Sequence, residues 1–262
     1  MSSKTLLLVA GALLLALPAA MAQAPAAPAT AEEATPPTLA PPPPPLEPLT
    51  PEKRGDIFMA RKMYREAIEE YSKCPQTAVI LNKIGIAHHQ MNNLDTAKKF
   101  YERAIKKDKR YPEAVNNLGT IHYAKRSYRR AVNQYKKALK LNPQAASIYS
   151  NLGTALFARK KYKEAAEAYA QALALDPEVF ERRSTYGVML QERNIEERAK
   201  FHYYLAKIYA QAGVTDRALL YIRKALEEGF KDKKKFTEEP EFASLQELAE
   251  FQEIMATEYR VL

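Results

Sequence analysis

The sequence predicts an all-α repeat fold, and three observations carry that prediction. Beyond residue 50 the chain is rich in Ala, Leu, Lys, Glu and Tyr, poor in glycine and devoid of tryptophan, which is a helix-forming composition. Within that region a glycine is followed by an alanine twelve residues later, an aromatic four after that and an alanine three further on, and the set recurs every 34 residues. The proline-rich stretch before it belongs to no core, since eleven of the 17 prolines fall between Pro25 and Pro51. The roughly 212 residues that remain can bury a substantial interior if they form one body.

Taken in order, residues 1–22 read as an address. Lys4 precedes the apolar run Leu6 to Leu17, followed by Pro18 and the small-residue triplet Ala20, Met21, Ala22. A basic start, a greasy segment and an A-x-A site predict a secretory signal peptide cleaved after Ala22. The run is short for a bilayer span, so an uncleaved membrane anchor is the lesser alternative. No cysteine follows it, which argues against a lipoprotein signal. The expected destination is the bacterial periplasm or the medium. Residues 23–51 are Ala, Pro, Thr and Glu, with five consecutive prolines at Pro41 to Pro45, and predict a disordered linker stiffened locally into polyproline II.

The recurrent set begins with Gly55, Ala67 and Tyr71, with Cys74 in the place of the last alanine. It continues through Gly85, Ala97, Tyr101 and Ala104, then Gly119, Ala131, Tyr135 and Ala138. Gly153, Ala165, Tyr169 and Ala172 follow, and then Gly187, Ala199, Tyr203 and Ala206. The first glycine stands 30 rather than 34 residues before the second. Leu or Ile precedes the glycine at Ile84, Leu118 and Leu152, and Pro143 and Pro177 close the third and fourth copies.

Over residues 52–228 this pattern resembles the tetratricopeptide repeat family. The resemblance implies a right-handed superhelical solenoid of antiparallel helix pairs, about five to six units, in which small residues let two helices cross closely and the tyrosine fills the space between one pair and the next. One pair cannot bury both of its apolar faces, so neighbours must stack. Gly213 and Gly229 read as helix-ending residues. Glu196 to Ala212 contains no breaker and should be one helix shared by two copies. Its Ala199, Tyr203 and Ala206 complete the fifth, while Leu205, Ala206 and Tyr209, followed by Ala218, Ile222 and Ala225, begin a sixth. Residues 229–262, with Pro240, Phe242, Leu245, Leu248 and Phe251, should cap the last pair.

Composition narrows the function classes. The formal charge is +9, and it rises to +11 when Lys4 and the acids Glu32, Glu33 and Glu47 of the first fifty residues are set aside. That excess favours acidic partners without identifying one. A single cysteine, Cys74, forms no intramolecular disulfide and should be buried and inert. His88 and His122 lie one repeat apart, but two ligands without a matching third do not make a zinc site, so they are read as substituted core aromatics. No Gly-rich phosphate loop, G-x-S-x-G or H-E-x-x-H occurs. The expectation is therefore no enzyme, no cofactor and no metal.

The resemblance also implies a peptide groove lined by the first helix of each pair. Carried onto this sequence, the inward positions are Asn82, Ile86, His89 and Gln90, then Asn116, Thr120, Tyr123 and Ala124, then Ser150, Thr154, Phe157 and Ala158. The Asn and Gln side chains are expected to hydrogen-bond an extended backbone, with Tyr123 and Phe157 giving apolar contact. The Lys and Arg of a carboxylate clamp are not found there. A second candidate surface is a basic ridge at the turns inside the third and fourth copies, formed by Lys125, Arg126, Arg129 and Arg130 and by Arg159, Lys160, Lys161 and Lys163. Three functions fit: an envelope scaffold gripping a partner's extended segment, a surface binder using the ridge on anionic lipid or polymer, and an accessory subunit of an envelope enzyme or assembly complex. Nucleic acid and small-molecule substrates are not expected.

Overall fold

The computed structural model describes residues 48–180 and 195–259, and all regular structure among them is helical. The signal-peptide expectation, nearly all of the linker and Gly187 lie outside the described residues. Eight helices form four antiparallel pairs: α1 (Pro51–Ala60) with α2 (Tyr64–Ser72), α3 (Ala78–Gln90) with α4 (Leu94–Lys107), α5 (Pro112–Ala124) with α6 (Tyr128–Leu141), and α7 (Ala146–Ala158) with α8 (Tyr162–Leu175). After residue 194 come α9 (Ile195–Gln211), α10 (Thr215–Glu227), the short α11 (Lys235–Glu238), a 3-10 turn at Pro240–Leu245 and α12 (Ala249–Ala256). Pairs stack so that each second helix meets the first helix of the next pair, and α3, α5 and α7 also touch one another. The first helices thus make a continuous layer. This is the stacking of a superhelical solenoid, in which isolated pairs gain a buried second face from their neighbours.

Why the glycines and tyrosines recur is visible in their contacts. A Cβ built on Gly55, Gly85, Gly119 or Gly153 would stand 2.4 to 2.7 Å from the ring of Tyr71, Tyr101, Tyr135 or Tyr169 respectively. Each tyrosine therefore lies flat on the glycine of its own pair. The ring thus sets the crossing inside its own pair, where it needs a glycine because no other residue leaves room, and it also fills the space to the next pair as expected: Tyr101 packs with Leu118 and Ile121 of α5, and Tyr169 meets Phe201 of α9. These four rings are at most 1% exposed, and the alanines Ala97, Ala104, Ala131, Ala138, Ala165 and Ala172 are fully buried beside them. The hydroxyls are also used, with Tyr135 and Tyr169 donating to the Oγ1 of Thr120 (3.4 Å) and Thr154 (3.3 Å).

Every pair turns in the same way. Lys62, Asn92, Arg126 and Lys160 have φ between 56° and 61°, and Gly213 takes the same place between α9 and α10 with φ 72°. At each, the amide of the following residue bonds a carbonyl five positions back: Asn93 to His88 at 2.9 Å, Ser127 to His122 at 2.8 Å and Lys161 to Leu156 at 3.0 Å. This is the Schellman ending, whose left-handed residue favours glycine. Gly229 closes α10 likewise, with φ 81°.

The two ends depart from the ruler for local reasons. In the first copy α2 has nine residues where α4, α6 and α8 have fourteen, and its helix stops before Cys74 because Pro75 follows. Cys74 is consequently half-buried rather than enclosed, which corrects the expectation from its alanine slot. Its Sγ lies 3.6 Å from the carbonyl of Glu70, and burial pushes the thiol up. At the other end α9 is a single helix, paired with α10 as α3 is with α4. Ala206 fills the glycine slot, and Ala206, Tyr209, Ala218, Ile222 and Ala225 are all fully buried. Tyr203, the aromatic assigned to the fifth copy, stacks on Phe230 (4.6 Å, 9°) and touches Phe236 and Phe242 of the tail. The tail buries Phe236, Phe242, Leu245, Phe251 and Ile254 against α9 and α10, whereas Leu248 stays 36% exposed. No helix among the described residues is long and apolar enough to cross a membrane.

Candidate functional site

The inner layer of α3, α5 and α7 is held together by buried amides. Asn117 Nδ2 donates to Asn82 Oδ1 at 3.0 Å, Asn151 Nδ2 donates to Asn116 Oδ1 at 2.9 Å, and Asn116 Nδ2 reaches Asn117 Oδ1 at 3.3 Å. Asn82 Nδ2 in turn donates to the Tyr111 hydroxyl at 3.3 Å. All four asparagines are at most 5% exposed. The ladder crosses from α3 to α5 and from α5 to α7, and polar groups so placed must be paired to be tolerated.

This ladder changes the assignment of the groove. The repeat pattern turns Asn82 and Asn116 towards a bound peptide; in the structure both are buried, and their amides bond other repeats. Thr154 is 2% exposed, its hydroxyl donating to the Ser150 carbonyl at 3.0 Å while accepting from Tyr169. Phe157 is likewise 2% exposed because α9 covers it: its ring lies 5.6 Å from Phe201 and 6.2 Å from Tyr204, and 5.0 Å from Tyr162 of α8. Ile86 is also buried. His89, Thr120, Tyr123, Ser150 and Ala158 are half-buried, and Gln90 and Ala124 are exposed. Tyr123 is held by a tilted contact with Tyr128 at 5.3 Å. The accessible part of the expected groove is therefore His89 and Gln90 at the end of α3, Thr120, Tyr123 and Ala124 on α5, and Ser150 and Ala158 on α7.

The basic residues are at the surface, unequally engaged. Lys125, at the end of α5, pairs with Asp95 of α4, and Lys161 with Glu164 at 2.5 Å. Arg126, Arg129, Arg130, Lys160 and Lys163 are exposed, and Arg159 is half-buried. Arg126 and Lys160 occupy left-handed turn positions, so two ridge residues stand where a glycine is less strained. Charge also continues past the turn along α6, which carries Arg129, Arg130, Lys136, Lys137 and Lys140 and no acid.

Two adjoining clefts of about 460 and 470 Å³ share Gln134, Lys137 and Lys140 of α6; the first is lined by α5 and α6 alone, and the second lies between α4 and α6 over α5. One is floored by His122, the other by the apolar Ile105, Val115, Leu118 and Leu141. Burial, with Arg130 and Lys98 nearby, holds the His122 imidazole below its usual range. His88 is half-buried and stacked on Phe100 at 5.4 Å and 18°, and burial depresses it too. Among the described residues no group of three His, Cys, Asp or Glu is placed to hold a metal. The repeat pattern does not single out Asn117, Asn151, Lys136, Lys137 or Lys140, although Asn117 and Asn151 stand 34 residues apart on the same ruler.

Comparison with known proteins is consistent with this geometry. Tetratricopeptide repeat profiles match residues 78–110 and 116–179. Among solved structures, a crystal structure of MamA is 21% identical, covering 66% of this chain and 93% of that chain at a TM-score of 0.47. TTC0263, a thermophilic TPR protein of Thermus thermophilus, is 20% identical over 70% of this chain and 91% of that chain at 0.48. The first TPR of Spaghetti (RPAP3), bound to the HSP90 peptide SRMEEVD, is 27% identical over 40% and 84% of the two chains at 0.39. Among curated proteins none matches the sequence. With its stacked pairs, its glycine-seated tyrosines and these two matched segments, the chain carries tetratricopeptide repeats over residues 78–110 and 116–179.

Proposed function

We propose that the protein is a non-catalytic scaffold of the bacterial envelope, holding an extended segment of a protein partner against the inner face of α3 and α5. Tetratricopeptide arrays are protein-interaction scaffolds, and that general role comes with the repeats. The observation that carries the finer reading is the division of labour on the inner layer. The asparagine ladder fixes α3, α5 and α7 relative to one another, while His89, Gln90, Thr120, Tyr123 and Ser150 remain at the surface with polar atoms and one aromatic face. A rigid, pre-formed surface lowers the ordering cost of binding a flexible segment. Export is supported by the Lys4, Leu6–Leu17 and Ala20–Ala22 pattern.

The test is a paired substitution, Gln90→Ala with Tyr123→Ser, chosen outside the buried ladder. The variant should keep the helical signal and melting profile of the wild type and lose partner capture in native envelope extracts. Undiminished capture by the folded variant would overturn the groove assignment.

A further inference from the structure

The charge of this chain is segregated, and its two extremes are complementary. Helix α6 has five basic residues and no acid, and Arg129, Arg130, Lys136, Lys137 and Lys140 are all exposed with no ion pair among the described residues. Lys137 and Lys140, with Lys109 and the single acid Glu102, line the α4–α6 cleft of about 470 Å³, whose floor is apolar, while Arg130 and Lys136 line the adjoining cleft. The C-terminal cap carries the opposite excess: residues 229–262 hold eight acids against five bases, and the bases lie at its two ends, so residues 236–259 contain seven glutamates and no lysine or arginine. Glu239 and Glu241 are spent on Lys207 at 3.0 and 3.2 Å, and Glu250 on Arg223 at 3.0 Å. Glu238, Glu247, Glu253 and Glu258 are exposed with no ion pair among the described residues.

From this complementarity we infer that the α4–α6 cleft of one molecule receives the acidic cap of a second copy of the same chain. The cap has the amphipathic form such a cleft requires. Phe251 and Ile254 of α12 face inward, leaving Glu247, Leu248 and Glu253 outward as an acidic surface with one apolar residue. Lys137 and Lys140 meet the carboxylates, and Leu248 meets the exposed Leu141 on the cleft floor. The two surfaces are different patches, so the contact is heterologous and head-to-tail, and each copy has one free donor and one free acceptor. Addition of further copies therefore gives open chains. A molecule of this net charge repels its copies at long range, so association depends on local pairing of opposite patches.

The test uses two charge-neutralised variants of the purified protein, Lys137→Gln with Lys140→Gln and Glu247→Gln with Glu253→Gln, examined by sedimentation velocity. The wild type should form oligomers that grow with concentration at ~0.15 M salt and dissociate at ~1 M, where screening acts within ~3 Å. Each variant alone should associate at least about tenfold more weakly. An equimolar mixture of the two leaves one intact cap and one intact cleft, and should stop at a 1:1 dimer. A wild type that stays monomeric at ~100 µM, far above the range of a specific contact, overturns the inference. Oligomers that neither variant weakens overturn it as well. So does a lysine-dependent association with phosphatidylglycerol vesicles without self-association, which assigns the cleft to an anionic membrane.

Discussion

Replacing Gly153 by alanine adds one methyl group, and the structure says where it must go. Its Cβ would lie 2.5 Å from both Cδ1 and Cε1 of Tyr169 and 3.0 Å from Cζ, against an ordinary carbon contact of about 3.5–4.0 Å. The ring must withdraw by about 1 Å, and it has nowhere to go. Tyr169 is 1% exposed, its hydroxyl is tied to Thr154, and Phe180 and Phe201 stand edge-on at 5.5 and 5.6 Å. Overpacking of this kind costs about 1–3 kcal/mol, while alanine regains about 1 kcal/mol over glycine in helix propensity. The net loss should be up to about 2 kcal/mol, read as a lower urea midpoint by far-ultraviolet circular dichroism. The decisive control is Gly153→Ala in a Tyr169→Leu background. There the clash is absent, only the helix gain remains, and the alanine should be neutral or stabilising. The same stability change for Gly153→Ala with and without the Tyr169 ring would refute the ring-on-glycine account.

Three further outcomes follow from the same structure. Asn116→Ala strips one bond each from the buried amides of Asn117 and Asn151 and should cost about 2–4 kcal/mol in urea unfolding, whereas Gln90→Ala at the exposed end of α3 should change stability by no more than about 0.5 kcal/mol; equal effects would dissolve the distinction between ladder and groove. Lys160→Gly removes a side chain from a left-handed turn position with φ 61° and should raise the thermal midpoint, by up to about 1 kcal/mol in stability; a lower midpoint would show that the lysine compensates its strain. Burial depresses His88, His89 and His122, so the unfolded chain binds more protons once pH falls to the ordinary imidazole range of ~6.5. Stability should therefore be full above pH ~7 and decline towards pH ~5.5, and His122→Gln should flatten that decline; a midpoint that rises on acidification across this window contradicts it.

Much of the fold is legible because its rule is covalent spacing. A tyrosine sixteen residues after a glycine in each described copy lands on it wherever two helices are joined by the same left-handed turn, and that turn recurs with the spacing. What spacing does not encode is the rotation of one pair against the next. Asn82 and Asn116 sit at positions that face a ligand or a neighbour depending on that rotation, and here Asn117 and Asn151 capture them. Phe157 reads as a groove aromatic only if α9 continues the regular array; in the structure Phe201 and Tyr204 close over it. Cys74 leaves its slot because Pro75 ends the copy early. The basic turns are evident as charge, but the cleft they adjoin exists only through the separation of α4 and α6, which no single helix reveals.

The central claim, that a partner lies on the inner face of α3 and α5, is tested most directly by site-specific photocrosslinking in the native envelope. The photoreactive residue is placed at Gln90 or Ala124 on the inner layer, or at Arg103 on the outer side of α4. The account predicts one partner protein crosslinked from Gln90 and from Ala124, absent from Arg103, and lost from Gln90 when Tyr123→Ser is added. The same partner captured from Arg103 and from neither inner position would contradict it.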